Sequence, residues 1–66
     1  MNETLDRIAI DPKVLGGQPV IKGTRVTVHL IVESIANGDT VPDLLEAYPF
    51  LTPDDIREAL LFARSY

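Results

Sequence analysis

Four cations are the residues of this sequence best suited to bind another molecule: Lys13, Lys22, Arg25 and Arg57. The first three lie in or beside a glycine-rich N-terminal stretch, from which they could contact phosphate oxygens and position the protein on DNA without reading base sequence. Solvated surface charges would give the same pattern, so both interpretations stay open. Arg25 is the better candidate of these three, because its planar guanidinium suits a phosphate or a partner carboxylate.

The sequence offers little for catalysis. His29 is the single histidine, and no serine or cysteine accompanies it in a nucleophile motif, so we expect a half-exposed helical residue there. The absence of cysteine excludes disulfides and cysteine-ligated zinc. We therefore expect a protein that is not an enzyme, with no cofactor, no metal and no small-molecule substrate.

Two motifs invite a chemical interpretation but are better explained as structure. Lys-Gly-Thr at 22–24 contains residues of a phosphate-binding loop, but the order and the spacer of that motif are missing. A glycine turn explains this segment better. The acids Asp54, Asp55 and Glu58 could chelate a hard cation, but they stand at a predicted helix start, where a capping hydroxyl and the helix dipole account for them.

The stretch 16–25 predicts a small β-hairpin with Gly23 in its turn, because apolar residues at 20–21 and 26–28 flank it. The apolar triplet at 8–10 is expected to pair with this hairpin as an edge. Strands this short are not stable alone in water, so the hairpin must pack on helices, on a second chain, or on both. The structural motif residues of the stretch are Gly16, Gly17, Pro19, Gly23 and Thr24.

Three helices are predicted after the hairpin, each beginning at a threonine whose hydroxyl can accept a hydrogen bond from the first turn. The apolar spacing predicts helices over 28–37, over 41–47, and from 53 to about 64. An aspartate three residues after the second and third threonine indicates a capping box. The predicted helix caps are Thr27, Thr40 and Thr52.

The predicted fold class is mainly α, with a short N-terminal β arm or hairpin at 1–27 followed by a helix-turn-helix-like, homeodomain-like three-helix bundle at 28–66. We expect a single domain over 1–66. The tight link between the last two helices matches the outline of a helix-turn-helix. Its last helix, however, begins with acids that would face DNA phosphates with like charge, and only Arg57 is favourable there.

The segments 10–12, 16–28, 48–49 and 51–52, together with Gly38, closely resemble the bacterial and archaeal domain-of-unknown-function 433 family over nearly the whole chain. The resemblance implies a homeodomain-like fold with an N-terminal β arm, usually dimeric. It also implies, for some members, a VapB-like antitoxin role beside a PIN-domain-like ribonuclease toxin. Such antitoxins commonly plug the toxin with an extended tail. Because this sequence ends directly after its last helix, we expect the arm or a helix face to bind the partner.

Size and charge set the remaining expectations. A 66-residue chain has a marginal core, which predicts a homodimer through the arm, with Phe50, Phe62 or Tyr66 on a shared surface. The net charge of −4 opposes nucleic acid at long range. No apolar run approaches a membrane span, and the N-terminus lacks the order of a signal peptide, so we expect a cytoplasmic protein that does not contact membranes.

Two functions follow from these features. The first is a small antitoxin-like regulatory protein that dimerises, binds a PIN-like toxin nuclease and contacts operator DNA. The second is a structural or protein-interaction module with a helix-turn-helix-like fold that does not bind DNA.

Overall fold

The computed structural model describes residues 6–65 and has a short β arm followed by three helices. The predicted fold class is confirmed: the chain is mainly helical, with a two-stranded antiparallel sheet near its N-terminus. The division of the chain into one domain stays a prediction. The elements are β1 (Ile8–Ala9), a 3-10 turn (Leu15–Gly17), β2 (Val20–Ile21), α1 (Val28–Ala36), α2 (Val41–Ala47) and α3 (Pro53–Ser65).

The sheet of the arm pairs β1 with β2, so the apolar triplet expected at the edge supplies the main partner strand. The strands are antiparallel, with Ile8 opposite Ile21 and Ala9 opposite Val20. The amide of Lys22 donates to the carbonyl of Arg7 at 2.7 Å and extends the ladder by one bond. This bond fixes Arg7 directly before the first residue of β1.

The predicted hairpin turn follows β2 directly. The amide of Thr24 donates to the carbonyl of Ile21 at 2.9 Å, and Gly23 inside this turn has a φ of 80°, which glycine adopts without steric cost. The second strand of the hairpin is shorter than predicted. It consists of one bridge between Val20 and Thr27, because Val28 already begins α1.

The glycine pair before β2 forms a tight 3-10 turn. Leu15, Gly16 and Gly17 have φ values of 49°, 67° and 89°, and the amide of Gly17 donates to the carbonyl of Val14 at 3.0 Å. Positive φ is rare for a leucine, so the two glycines relieve strain that other residues would add there. The turn leads into Pro19, whose carbonyl accepts a hydrogen bond from the amide of Val28 at 3.0 Å and so links the arm to α1.

The first two helices begin at threonine caps. The hydroxyl of Thr27 accepts from the amide of Leu30 at 2.9 Å, which satisfies one free donor of α1. Thr40 and Asp43 form a capping box at the start of α2, with each backbone amide donating to the other side chain. Gly38, with a φ of 104°, follows the end of α1.

The core lies between β2 and the three helices. Both residues of β2 are buried, so the arm belongs to the core and does not extend into solvent. Ile31 of α1 and Ile56 of α3 are the largest fully buried side chains, and burial of each stabilises the fold by about 1.5–3 kcal/mol. The buried apolar residues are Val20, Ile21, Val26, Val28, Ile31, Leu44, Leu51, Ile56 and Ala59.

Some large apolar residues remain outside this core. Ile10, directly after β1, is 59% exposed, and Phe50, in the link between α2 and α3, is 60% exposed. Phe62 is half-buried and packs against the core. Tyr66, the third residue expected on a shared surface, lies outside the described residues.

None of the helices within residues 6–65 combines the length and the apolar character needed to cross a bilayer.

Candidate protein-binding surfaces of the third helix

The first surface is an ion-pair cluster, the Arg7 clasp, formed by Arg7, Asp54, Asp55 and Glu58. The guanidinium Nη1 lies 3.2 Å from Asp55 Oδ1, Nη2 lies 3.8 Å from Asp54 Oδ2, and Nε lies 3.6 Å from Glu58 Oε2. The backbone amide of Arg7 also donates to Glu58 Oε1 at 3.1 Å. One arginine thus joins the arm to the first two turns of α3.

Asp55 is the central carboxylate of the clasp. Its side chain is only 10% exposed, whereas the side chain of Arg7 is 42% exposed. Its Oδ2 accepts from the amide of Thr52 at 2.9 Å, and its own amide donates to the Thr52 hydroxyl at 3.1 Å. A buried carboxylate requires hydrogen bonds and a counter-charge. The Thr52 amide and Arg7 supply them, so the same side chain begins α3 and anchors the arm.

A shallow cleft of about 440 Å³ lies beside the clasp. Its lining contains three carboxylates and two cations: Asp6, Arg7, Lys22, Asp55 and Glu58. The excess of carboxylates disfavours a phosphate or another anion. Arg7 lies among the acids that the sequence offered as cation ligands, and within residues 6–65 no group of three or more such side chains is arranged to hold a metal ion.

The second surface is an apolar depression, the α3 groove, of about 430 Å³ between the start of α2 and the length of α3. Ile56 is buried at its base, Leu60 and Leu61 are half-buried, and Arg57 and Arg64 are exposed. The full lining is Val41, Pro53, Ile56, Arg57, Leu60, Leu61 and Arg64. Within residues 6–65 neither of these arginines forms an ion pair, since the cationic partners there are Arg7 and His29.

The centres of the clasp and of the groove lie on different faces of α3, although Asp54 of the clasp, three residues before Arg57, lies between them. Successive residues of an α-helix are rotated by about 100°, which places Asp55 and Arg57 about 200° apart around the axis. Arg57 and Arg64 are seven residues apart, close to two turns, so they share a face and are separated by about 10 Å along the axis. The helix therefore presents carboxylates in contact with Arg7 on one face and, within residues 6–65, arginines without an acidic partner around an apolar surface on another.

The structure does not gather all four predicted DNA-binding cations. Lys13, Lys22, Arg25 and Arg57 are all exposed, but Lys22 lines the clasp cleft while Arg57 lines the α3 groove. The amide of Lys13 donates to Asp11 Oδ1 at 2.9 Å. A common basic face made from two copies of the chain stays a prediction.

Arg7 is the site residue that the sequence did not single out. Its hydrogen-bonded partners, Asp55 and Glu58, lie 48 and 51 residues away in the chain, so no local spacing connects them to Arg7. The only signal was a cation directly before a predicted edge strand.

His29 is more exposed than expected and lies 3.4 Å from Glu33 one turn later, an ion-pair geometry when the imidazole is protonated.

Comparison with known proteins places this arrangement in a family. The model of the family described as "Protein of unknown function (DUF433)" matches residues 8–63, and the chain belongs to this family. Its sequence is 41% identical over 58 residues to the uncharacterized protein y4eO of Sinorhizobium fredii, a match covering 88% of this chain and 26% of that protein. The family thus fixes the fold and leaves the activity open.

A solved structure supports the same assignment. The crystal structure of a DUF433 member protein from Anabaena variabilis is similar, with a TM-score of 0.88 and 35% sequence identity. The match covers 91% of this chain and 59% of that one. The chain therefore spans about a quarter of the S. fredii protein and about three fifths of the A. variabilis one.

Proposed function

We propose that this protein is an antitoxin-like regulatory protein that forms a homodimer and binds a PIN-like toxin nuclease. The observation that carries this proposal is the Arg7 clasp. In a helix-turn-helix protein, the first turns of the recognition helix approach the bases. Here those turns hold three carboxylates, all of which contact Arg7 of the protein's own arm. Such a helix start repels phosphates, so α3 is better suited to a protein partner than to DNA.

Net charge supports a nuclease as the partner class. A protein that binds RNA presents a positively charged surface to the polyanion. This chain carries ten acidic and six basic residues, so its net charge is complementary to such a surface. An acidic module that covers the substrate-binding face of a nuclease would neutralise it without any catalysis of its own.

The arm supports the dimer. In the two-stranded sheet, β1 pairs with β2 on one side, and exposed Ile10 follows it directly. Pairing of two such edges would extend the sheet and cover this side chain. The small core of a 66-residue chain would gain further stability from that burial.

Operator DNA is the weaker part of the proposal. The exposure of Lys13, Lys22 and Arg25 supports phosphate contacts by the arm, but Lys22 shares its cleft with Asp55 and Glu58. A protein-interaction module that does not bind DNA is the alternative that this cleft favours.

The proposed function is tested by co-expressing the protein with the nuclease encoded in the adjacent reading frame. We expect restored growth and a stable complex, whose mass by light scattering corresponds to two copies of this chain together with the bound nuclease. A neighbouring frame without a nuclease, or a nuclease whose toxicity is unchanged at equal expression, contradicts the proposal.

A double variant separates the two proposed activities. Lys13→Glu with Arg25→Glu should leave neutralisation intact, because neither cation lines the clasp cleft or the α3 groove. The same variant should weaken any DNA complex and flatten its salt dependence by about one unit of slope for each lost phosphate contact. A gel shift that is unchanged across salt concentrations would rule out DNA contacts by the arm.

A further inference from the structure

The geometry of the α3 groove points to a specific occupant. We propose that it binds an acidic amphipathic helix of a partner protein, with apolar side chains on Leu60 and Leu61 and carboxylates on Arg57 and Arg64. This inference rests on the proposed function in naming the partner as a protein, and it adds the surface and the chemistry of the segment recognised.

The apolar surface of the groove argues for a protein segment. Leu60 and Leu61 are half-buried and lie above buried Ile56, so the depression already has a dry base. Its volume of about 430 Å³ is within the range of sites that enclose several apolar groups. A phosphodiester backbone would lose water against these leucines and gain no hydrogen bond from them, because an aliphatic side chain has no donor.

The two arginines argue for carboxylates at a defined spacing. Both are exposed, and within residues 6–65 neither has an acidic partner, so their charges are available to another molecule. The same seven-residue spacing on a partner helix would place two carboxylates about 10 Å apart on one face. A guanidinium binds a carboxylate through two parallel hydrogen bonds, which fixes orientation as well as adding affinity.

The structure also separates this surface from the arm. No residue of the Arg7 clasp lines the groove, and its central carboxylate, Asp55, lies about 200° around α3 from Arg57 and is already paired with Arg7. A helix bound in the groove would therefore leave the attachment of β1 to α3 unchanged. A dimer through the arm and a partner on the groove can coexist in one complex.

The experiment uses a synthetic helical peptide with leucines on one face and two glutamates seven residues apart, and a matched peptide with lysines in place of the glutamates. Binding to the full chain is followed by backbone amide chemical shifts. We expect the glutamate peptide to shift the signals of Val41 and residues 56–64, and the lysine peptide to bind at least about tenfold more weakly, a difference within reach of two ion pairs.

A charge swap provides the matched control. Arg57→Glu with Arg64→Glu should reverse the preference so that the lysine peptide binds better, whereas Lys13→Glu with Arg25→Glu, the same change of net charge elsewhere, should leave the glutamate peptide preferred. Circular dichroism checks that all variants fold alike. No shift at millimolar peptide, shifts confined to the clasp cleft, or displacement of the peptide by duplex DNA would each overturn the proposal.

The peptide and nuclease experiments fail independently. If the nuclease is neutralised and the glutamate peptide does not bind, the antitoxin function stands and the groove proposal is wrong. If the peptide binds with the expected charge preference and the nuclease remains toxic, the groove proposal stands and the proposed function is wrong.

Discussion

Helices α2 and α3 begin with the same pattern, a threonine, a proline within the next two residues and an aspartate at the third position. Both starts show the same reciprocal bonds. The aspartate amides donate to the threonine hydroxyls at 3.2 Å (Asp43 to Thr40) and 3.1 Å (Asp55 to Thr52), and each threonine amide donates back to its aspartate at 2.9 Å. The surroundings differ, because Asp43 is exposed while Asp55 is buried against Arg7.

This difference shows how one local motif takes two roles. At α2 the capping box satisfies two backbone donors and has no further function visible in the structure. At α3 the aspartate also holds the arm, so the helix start becomes a junction between β1 and the helical body. Disrupting the capping box of α3 should therefore lower the free energy of unfolding more than disrupting that of α2, although the local hydrogen bonds are nearly identical.

The largest expected effect comes from Arg7→Ala. The change leaves buried Asp55 without its cation, and it also frees Asp54 and Glu58. Since Arg7 is itself partly exposed, the free energy of unfolding should fall by an amount between those for surface and for buried ion pairs, about 2 kcal/mol. This corresponds to a decrease of roughly 8–16 °C in melting temperature. Thermal unfolding followed by circular dichroism measures it.

Arg25→Ala is the matched control for this change. Arg25 is exposed and carries the same charge, so its removal should alter the free energy of unfolding by less than about 0.5 kcal/mol. Equal melting temperatures for the two variants would mean that the clasp does not anchor the arm.

A smaller effect should separate the two threonines. Thr40→Ala should cost about 0.5–1 kcal/mol, as for an exposed cap, whereas Thr52→Ala should cost about 1–2 kcal/mol, because the hydroxyl it removes accepts a part-buried hydrogen bond from the backbone amide of Asp55, the residue that Arg7 contacts. Urea unfolding of the two variants measures the difference.

Energetic coupling between Arg7 and each cap threonine provides a second test of whether only the α3 helix start is linked to the arm. Arg7→Ala combined with Thr52→Ala should be non-additive by at least about 0.5 kcal/mol, and Arg7→Ala combined with Thr40→Ala should be additive. Additivity in both pairs would show that the two helix starts are energetically alike, and that the clasp is independent of the cap.

The same contrast explains what the sequence could predict. The helix starts, the glycine at 38 after α1 and the mainly α fold with a β arm follow from local patterns, because caps, turns and apolar spacing act over a few residues. The acids at the start of α3 were interpreted as helix-start residues on the same local ground. Their ion pairs with Arg7 were not predicted, because these contacts join residues about 50 positions apart and the sequence shows no pattern between them.

The groove was missed for a related reason. Its leucines entered only as part of the apolar spacing that predicts the third helix, and Arg57 was considered only as a contact to DNA. That spacing identifies which residues share a face, but the space left beside that face depends on where α2 packs. Arg64 was not considered as a binding residue, because only the structure shows that it lines the same apolar depression as Arg57.

The smallest expected effect concerns the exposed box at α2. Hydrogen bonds to the Thr40 backbone and then to its side chain hold the pKa of Asp43 below its ordinary value of 3.8. A carboxylate with a lowered folded-state pKa contributes stability that is present above the ordinary value and is lost as the pH falls through the folded-state value. The wild type should therefore lose this contribution only below about pH 4.

Asp43→Asn isolates that contribution, because the amide oxygen can still accept from the Thr40 amide but carries no charge to titrate. The difference in unfolding free energy between wild type and variant should be constant from pH 7 to 5 and should shrink as the pH falls below about 4. Urea unfolding at each pH gives this difference directly. A difference that does not change with pH would mean that the box at α2 depends on geometry alone, and that only the α3 box is supported by charge, through Arg7.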